Sequence, residues 1–263
     1  MIDLDGMVSI IMPGYNEGKS IYHSLLEANR VFCNMFENYE IIFVNDGSKD
    51  NTLEMALKAE QSCNTIRVIN CPVNQGKGNA LREGTAAAKG EYIVFMDSDL
   101  DLPPSQLPRF FEIMVEKDAD VVIGSKMHPE SVSNYPLGRK IFSFGYYMFL
   151  LILFRLNTHD TQTGLKLFKA DVIKPVMEVI LVKRFAFDIE VLSIIKKRGL
   201  KIAESPVVLN FNRGLKWGRI QFKDVRDIVV DTLAIFYRLN ILHYYDRETV
   251  EIQKDKEGEV VHK

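Results

Sequence analysis

The chain has 263 residues, 47% of them hydrophobic and 26% charged, with a formal net charge of −2. That is enough apolar material for one large domain core, and the charge excludes the pervasive positive field of a nucleic-acid-binding protein. Cys33, Cys63 and Cys71 are odd in number and lack metal-ligand spacing, and no secretory leader precedes the first apolar run, so a reducing compartment is expected.

In chain order, Val8 to Met12 reads as a buried strand ended by Pro13-Gly14, and Asn16 as the cap of a helix with Ile21, Leu25 and Leu26 on one face. Tyr39 to Asn45 is a second strand, stopped by Asp46-Gly47, with Asp50 capping a helix through Ser62. Thr65 to Asn70 is a third strand. Asn74 to Gly78 is a glycine-containing loop opening a helix toward Ala88, and Glu91 to Met96 is the fourth strand. A helix from Ser105 to Glu116 and a strand from Ala119 to Gly124 complete an alternation that specifies an α/β fold, a mostly parallel sheet with helices on both faces. Lys126 to Arg139 reads as loop. Helices are expected at Arg139–Phe154, Phe187–Lys197 and Lys223–Leu239, and a strand at Lys201–Leu209. Residues 1–245 are expected to form one domain, with 1–125 its regularly alternating half and 126–245 its less regular half, and 246–263 a charged mobile tail.

The fourth strand runs into Asp97-Ser98-Asp99-Leu100-Asp101. Ligands bind at the C-terminal edge of such a sheet, and clustered carboxylates there need a cation or a proton. A divalent ion gripping a diphosphate answers that need, because Mg²⁺ and Mn²⁺ favour a few carboxylates plus substrate phosphates. Pro13-Gly14-Tyr15-Asn16-Glu17 and Asn45-Asp46-Gly47-Ser48 end two other strands on the same rim. Tyr15 is suited to packing on a base or ribose, Asp46 to accepting from a base imino N–H, and Asp97 to holding either ribose or metal. Alone, Asp46-Gly47 is a plain turn. Gly76 and Gly78 allow close backbone approach to phosphate at a helix N-terminus, with Lys77 adding charge, although the loop is neither a Walker nor a dinucleotide-binding sequence.

Taken in order, these pieces resemble the family 2 inverting glycosyltransferases of GT-A fold. Val8 to Glu17, Glu40 to Ser48, Asn74 to Gly84 and Asp97-Ser98-Asp99 match in order and spacing; Asn45 departs where the family usually has a second aspartate. Asp160 to Phe168 and Arg184 to Glu190 look like polyprenyl-phosphate sugar synthases, the dolichyl-phosphate glucose and mannose synthases among them. The resemblance implies nucleotide-sugar contacts from Pro13, Tyr15, Glu17, Asp46, Gly76, Lys77, Asp97 and Ser98, and Mg²⁺ or Mn²⁺ at Asp97, Asp99 and Asp101. It implies an acceptor site at Ser125, Lys126, Gln162 and Arg184, with Arg139 and Arg213 joining Asp99 and Asp101 in catalysis. Lys126 replaces the usual arginine, keeping the charge but losing the bidentate fork. The glucose-synthase likeness favours UDP-glucose as donor over GDP-mannose.

A phosphate monoester has a second pKa near about 6, so it attacks without a protein base. Asp160, Asp188 and Glu190 can be read as base, as orienters of the arginines or as structural; a phosphate acceptor favours the orienting role, with helix capping a rival for Asp188 and Glu190. A lipid acceptor demands a membrane. Ile141 to Phe154, flanked by Arg139-Lys140 and Arg155, falls short of the about 20 residues a span needs and suits either an interface helix or a buried one. Trp217 among Arg213, Lys216 and Arg219 suits a substrate-covering or headgroup-touching loop. The expectation is a peripheral enzyme at the cytoplasmic membrane face, with polyprenyl phosphate as acceptor and a membrane-anchoring partner possible. The rivals are a hydroxyl-acceptor enzyme of the same fold using Asp160 as base, a catalytically silent nucleotide-sugar scaffold, and a nucleotidyltransferase, which would carry its basic glycine-rich loop directly after the first strand.

Overall fold

A computed structural model of the chain describes residues 6–132, 137–183, 186–209 and 222–246, with side chains at 137–144 and 222–227 not described. The strands β1 (Val8–Gly14), β2 (Tyr39–Asp46), β3 (Ile66–Cys71) and β4 (Tyr92–Phe95) alternate with α1 (Ile21–Phe32), α2 (Thr52–Ser62) and α3 (Lys77–Ala87). Then come α4 (Leu107–Glu116), β5 (Val121–Ser125), α5 (Leu137–Phe154), β6 (Lys166–Lys169), α6 (Ala170–Val179), α7 (Phe187–Lys197), β7 (Ile202–Pro206) and α8 (Phe222–Asn240). Among the described residues seven strands form one sheet in the order β3-β2-β1-β4-β6-β5-β7. Its pairings are parallel except at β6, which runs antiparallel to both neighbours.

Burial follows from the pleat. Successive side chains point to opposite faces, so a strand covered on both sides is apolar except where a buried polar group is paired, as Ser9 Oγ is by donating to Glu40 Oε1 at 2.7 Å. Val8, Ile10, Ile11 and Met12 are all fully buried. Ile10 and Met12 join a core with Phe43, Val94 and the α4 side chains Leu107, Phe110 and Met114. Ile11 faces the other core, with Val44, Phe95, Phe168 and the α7 side chains Phe187 and Ile194. In α1 and α4 the buried positions recur at helical spacing (Ile21, Leu25, Ala28, Phe32; Leu107, Phe110, Phe111, Met114), which seats each helix on the sheet.

The expected strands are all present with shifted ends; β6 and α6 are additions. Asn16 does not cap α1: it sits at φ 56°, its N–H donates to Ser48 Oγ at 3.0 Å, and its Oδ1 accepts from the Lys49 amide at 2.9 Å. The cap position of α2 is Asn51 rather than Asp50, which lies one residue earlier and whose Oδ1 accepts from the Thr52 amide at 3.0 Å. Helix α5 is buried on one side: Leu150 and Phe154 are buried, while Ile152 is 74% exposed. Among the described residues no helix is long and apolar enough to cross a membrane. The expected tail beyond Asp246 lies outside the described residues.

Candidate active site

β1 pairs with β2 on one side and β4 on the other, so the chain's direction of travel across the sheet reverses at β1. A crevice outside the C-terminal strand ends is expected at such a point. A cleft of ≈ 310 Å³ lies there, lined by residues from the ends of β1, β2 and β4 and the start of α3. Pro13, Tyr15, Glu17, Asp46, Gly76, Lys77, Asp97, Ser98 and Asp99 all line it; Asp101 is not part of the lining. Tyr15 is exposed at the cleft.

Asp46 works inward. One carboxylate oxygen accepts from the Gln75 amide at 2.9 Å and the other from the Gly76 amide at 2.8 Å, so a buried carboxylate at the end of β2 sets the loop before α3. Gly76 itself sits at φ 102°, a conformation that favours glycine. Gly47, at φ 63°, has no room for a Cβ: the Asn74 amide nitrogen would lie 2.4 Å from it. The Asp46-Gly47 turn is thus a socket for the Asn74–Gly76 loop.

Asp97 works outward. Its Oδ1 accepts from Lys77 Nζ at 2.5 Å, joining the end of β4 to the first residue of α3. Desolvation pushes the Asp97 carboxyl up, but the Lys77 ammonium, by charge and hydrogen bond, together with Lys166 and Lys126, holds it below the usual carboxylate range. Lys77 is raised in turn: desolvation opposes its charge, and Asp97, Asp188 and Asp99 outweigh that. The acidic run turns sharply after Asp97, with Leu100 at φ 56° and the Asp101 amide donating to Asp99 Oδ1 at 3.2 Å. Among the described residues no three His, Cys, Asp or Glu side chains converge on a common point, so the trio Asp97, Asp99 and Asp101 does not form a three-carboxylate metal cluster.

On the expected acceptor side, Lys126 is brought to the rim, its amide donating to Asp160 Oδ2 at 3.1 Å. Ser125 is fully buried and its Oγ has no hydrogen-bond partner among the described residues. Gln162 is exposed. Arg184 and Arg213, with Lys216 and Trp217, lie outside the described residues, as does the side chain of Arg139. Asp188 pairs with the buried Lys166 at 2.7 Å, and Glu190 is buried on α7; neither makes a side-chain cap for that helix.

Two site residues escaped the sequence reading as individuals. A Cβ on Gly164 would lie 1.9 Å from Asp97 Oδ2, so the backbone before β6 is pressed against the acidic run. Lys166 donates to the Thr163 carbonyl at 2.5 Å and fixes that backbone. A glycine next to a strand is a signal of close backbone approach.

The family model for glycosyl transferase family 2 matches residues 9–176. The chain is 33% identical over 258 residues to the dolichyl-phosphate β-glucosyltransferase ALG5D of Trichomonas vaginalis, covering 92% of this chain and 77% of that one. It is 30% identical over 251 residues to the human dolichyl-phosphate β-glucosyltransferase, covering 88% and 78%. Among solved structures it is similar to glucosyl-3-phosphoglycerate synthase from Mycobacterium tuberculosis in complex with Mn²⁺, UDP-glucose and phosphoglyceric acid, with TM-score 0.64 at 19% identity over 88% and 78% of the two chains. It is also similar to mannosyl-3-phosphoglycerate synthase from Rubrobacter xylanophilus, with TM-score 0.68 at 15% identity over 89% and 74%. The chain belongs to glycosyltransferase family 2. It has the GT-A fold and is a glycosyltransferase, as the resemblance of its motifs implied.

Proposed function

We propose that this enzyme transfers glucose from UDP-glucose to dolichyl phosphate or a related polyprenyl phosphate, with inversion at the anomeric carbon, at the cytoplasmic face of a membrane. The observation that carries the reading is the juxtaposition of Lys77, Asp97 and Asp99 in one cleft at the start of α3. It supplies an ammonium at a helix N-terminus for a diphosphate, with carboxylates for its counter-ion. The names of the relatives support the sugar and the acceptor.

Tyr15 packs against the nucleoside, and Asp46, by holding the Gln75 and Gly76 amides, fixes the loop that carries Lys77 to the diphosphate. The donor set suits a hard divalent ion: Asp97 and Asp99 face the cleft and would hold it. When bound, Mg²⁺ or Mn²⁺ neutralises charge on the diphosphate. An acceptor phosphate oxygen forms the new bond to the anomeric carbon from the face opposite the leaving group, while the bond from that carbon to the UDP oxygen breaks. Lys126, Gln162, Arg139, Arg184 and Arg213 are assigned to the acceptor phosphate, and a partly exposed α5 to the membrane surface.

The carboxylates that a hydroxyl acceptor would need are committed elsewhere. Asp160 holds the Lys126 amide, Asp188 is paired with Lys166, and Glu190 is buried. A phosphate dianion needs no such base. The test is release of nucleoside diphosphate from UDP- and GDP-sugars, with Mg²⁺ or Mn²⁺, with and without dolichyl phosphate in detergent. UDP release from UDP-glucose that depends on the lipid phosphate is the expected result; release supported equally by a glycan hydroxyl overturns the acceptor assignment.

A further inference from the structure

Glu190 is fully buried on α7. A carboxylate there is tolerated only if its oxygens are satisfied, and four donors converge on it. Oε2 accepts from the amides of Leu181 at 3.1 Å and Val182 at 2.7 Å. Oε1 accepts from the Tyr245 hydroxyl in a short contact and from Arg238 Nη2 at 3.4 Å, and Arg238 Nε donates to the same hydroxyl at 3.0 Å. One carboxylate therefore ties α7 to the end of α8, to the segment after it, and to the stretch 181–183.

That stretch leads to the donor cleft. The Lys183 carbonyl accepts from the Gly78 amide at 3.0 Å, and Lys183 Nζ donates to Gln75 Oε1 at 2.7 Å. Gly78 is also pressed onto the first residue of α7, since a Cβ there would lie 2.7 Å from the Phe187 ring. The loop Gln75–Gly78 is thus gripped from two sides, by Asp46 on β2 and by the 181–183 stretch that Glu190 holds.

We propose that Glu190 is a positioning residue for the donor diphosphate. It touches no substrate; by fixing the 181–183 backbone it fixes the start of α3, and through it the direction in which Lys77 points. This rests on the reading of the cleft as a nucleoside-diphosphate site. It also makes the C-terminal residues Arg238 and Tyr245 part of the support for a loop far from them in sequence.

The test compares Glu190→Ala with Glu190→Gln, whose amide oxygen can still accept from Leu181 and Val182. Amide hydrogen exchange of the ligand-free protein is followed in peptides covering 74–80 and, as control, 107–116 on the opposite face of the sheet. UDP affinity with Mn²⁺ is measured by calorimetry. For Glu190→Ala we expect exchange in 74–80 to rise by about tenfold more than in the control, and UDP affinity to fall by about tenfold, with Glu190→Gln restoring most of both. Exchange rising equally in both peptides, or a faster loop with unchanged UDP affinity, overturns the proposal. Should Glu190→Ala not fold, Glu190→Asp, which withdraws the charge by one methylene, gives the same comparison. If the wild type binds no UDP, the donor reading fails, while the exchange comparison still decides whether Glu190 holds the loop.

Discussion

Replacing Gly164 with alanine perturbs the acidic run without touching its chemistry. The new Cβ would stand 1.9 Å from Asp97 Oδ2 and 2.4 Å from Asp97 Cγ, where ordinary van der Waals contact begins at 3.4 Å. Gly164 is not at a positive φ, so the cost is steric rather than conformational. To relieve the overlap, the carboxylate must move by roughly 1.5 Å, which disturbs the 2.5 Å contact with the Lys77 ammonium. A misplacement of about 1 Å at a reacting site costs on the order of 10²-fold, equivalent to roughly 2.7 kcal/mol of transition-state stabilisation. Overpacking of a core costs about 1–3 kcal/mol, and the lower end applies here because Asp97 is partly exposed and has the cleft to swing into. The expected outcome is a loss of about 10²-fold in kcat/KM for UDP release with a small fall in unfolding temperature. On an Asp97→Ala background the clash is gone, so Gly164→Ala should cost little further stability there while activity stays low. Wild-type kcat/KM in Gly164→Ala would refute the claim that the 163–165 backbone holds Asp97 in place.

Three further outcomes are expected. Asp99→Asn should abolish turnover with far-ultraviolet circular dichroism and thermal unfolding unchanged; turnover at the wild-type rate removes Asp99 from the metal and diphosphate site. Asp46→Asn places an NH₂ against one of the Gln75 and Gly76 amides, so stability should drop by about 1–3 kcal/mol in urea unfolding and UDP affinity should weaken with it; equal stability would show that the socket does not need the charge. The third concerns pH. The folded Asp97 carboxyl is held below its unfolded value of about 3.9, so its contribution is fully present above that value and is lost as pH falls through the lower folded one. The stability difference between wild type and Asp97→Asn should therefore be constant between about pH 5 and 7 and shrink below about pH 4; a difference that grows on acidification reverses the sign of the argument.

The donor half was legible because its signals are local. Unbroken apolar runs mark β1, β2 and β4, each is stopped by a turn or an acidic run, and those stops are the cleft. Helix α7 occupies the bounds its periodicity indicated, Phe187–Lys197. The misses have physical causes. β6 is four residues long and begins and ends with lysine, and Lys166 is buried only because Asp188, 22 positions away, neutralises it; an apolar pattern cannot show that. α6 contains Pro175, which reads as a break. Asn16 has the chemistry of a helix cap, yet left-handed backbone at that position turns its side chain to the Lys49 amide instead. The Lys77–Asp97 pair, 20 positions apart, and the Gly164 contact exist only once β4, α3 and β6 have assembled.

The reversed strand explains how the second half of the chain reaches the chemistry of the first. In a parallel sheet the C-terminal strand ends form the ligand rim. β6 runs the other way, with Lys166 level with Phe95 of β4 and Ile123 of β5, so the residues just before it arrive at that rim. This is why Gly164 meets Asp97 and why Lys166 and Lys126 act on the same carboxylate as Lys77. Lys77 is held in turn by Asp97, Asp188 and Asp99, and Lys166 is paired with Asp188, so cations and carboxylates from both halves of the chain compensate one another on this rim. Reversal of one strand thus brings residues of the second half of the chain onto the rim that carries the ends of β1, β2 and β4.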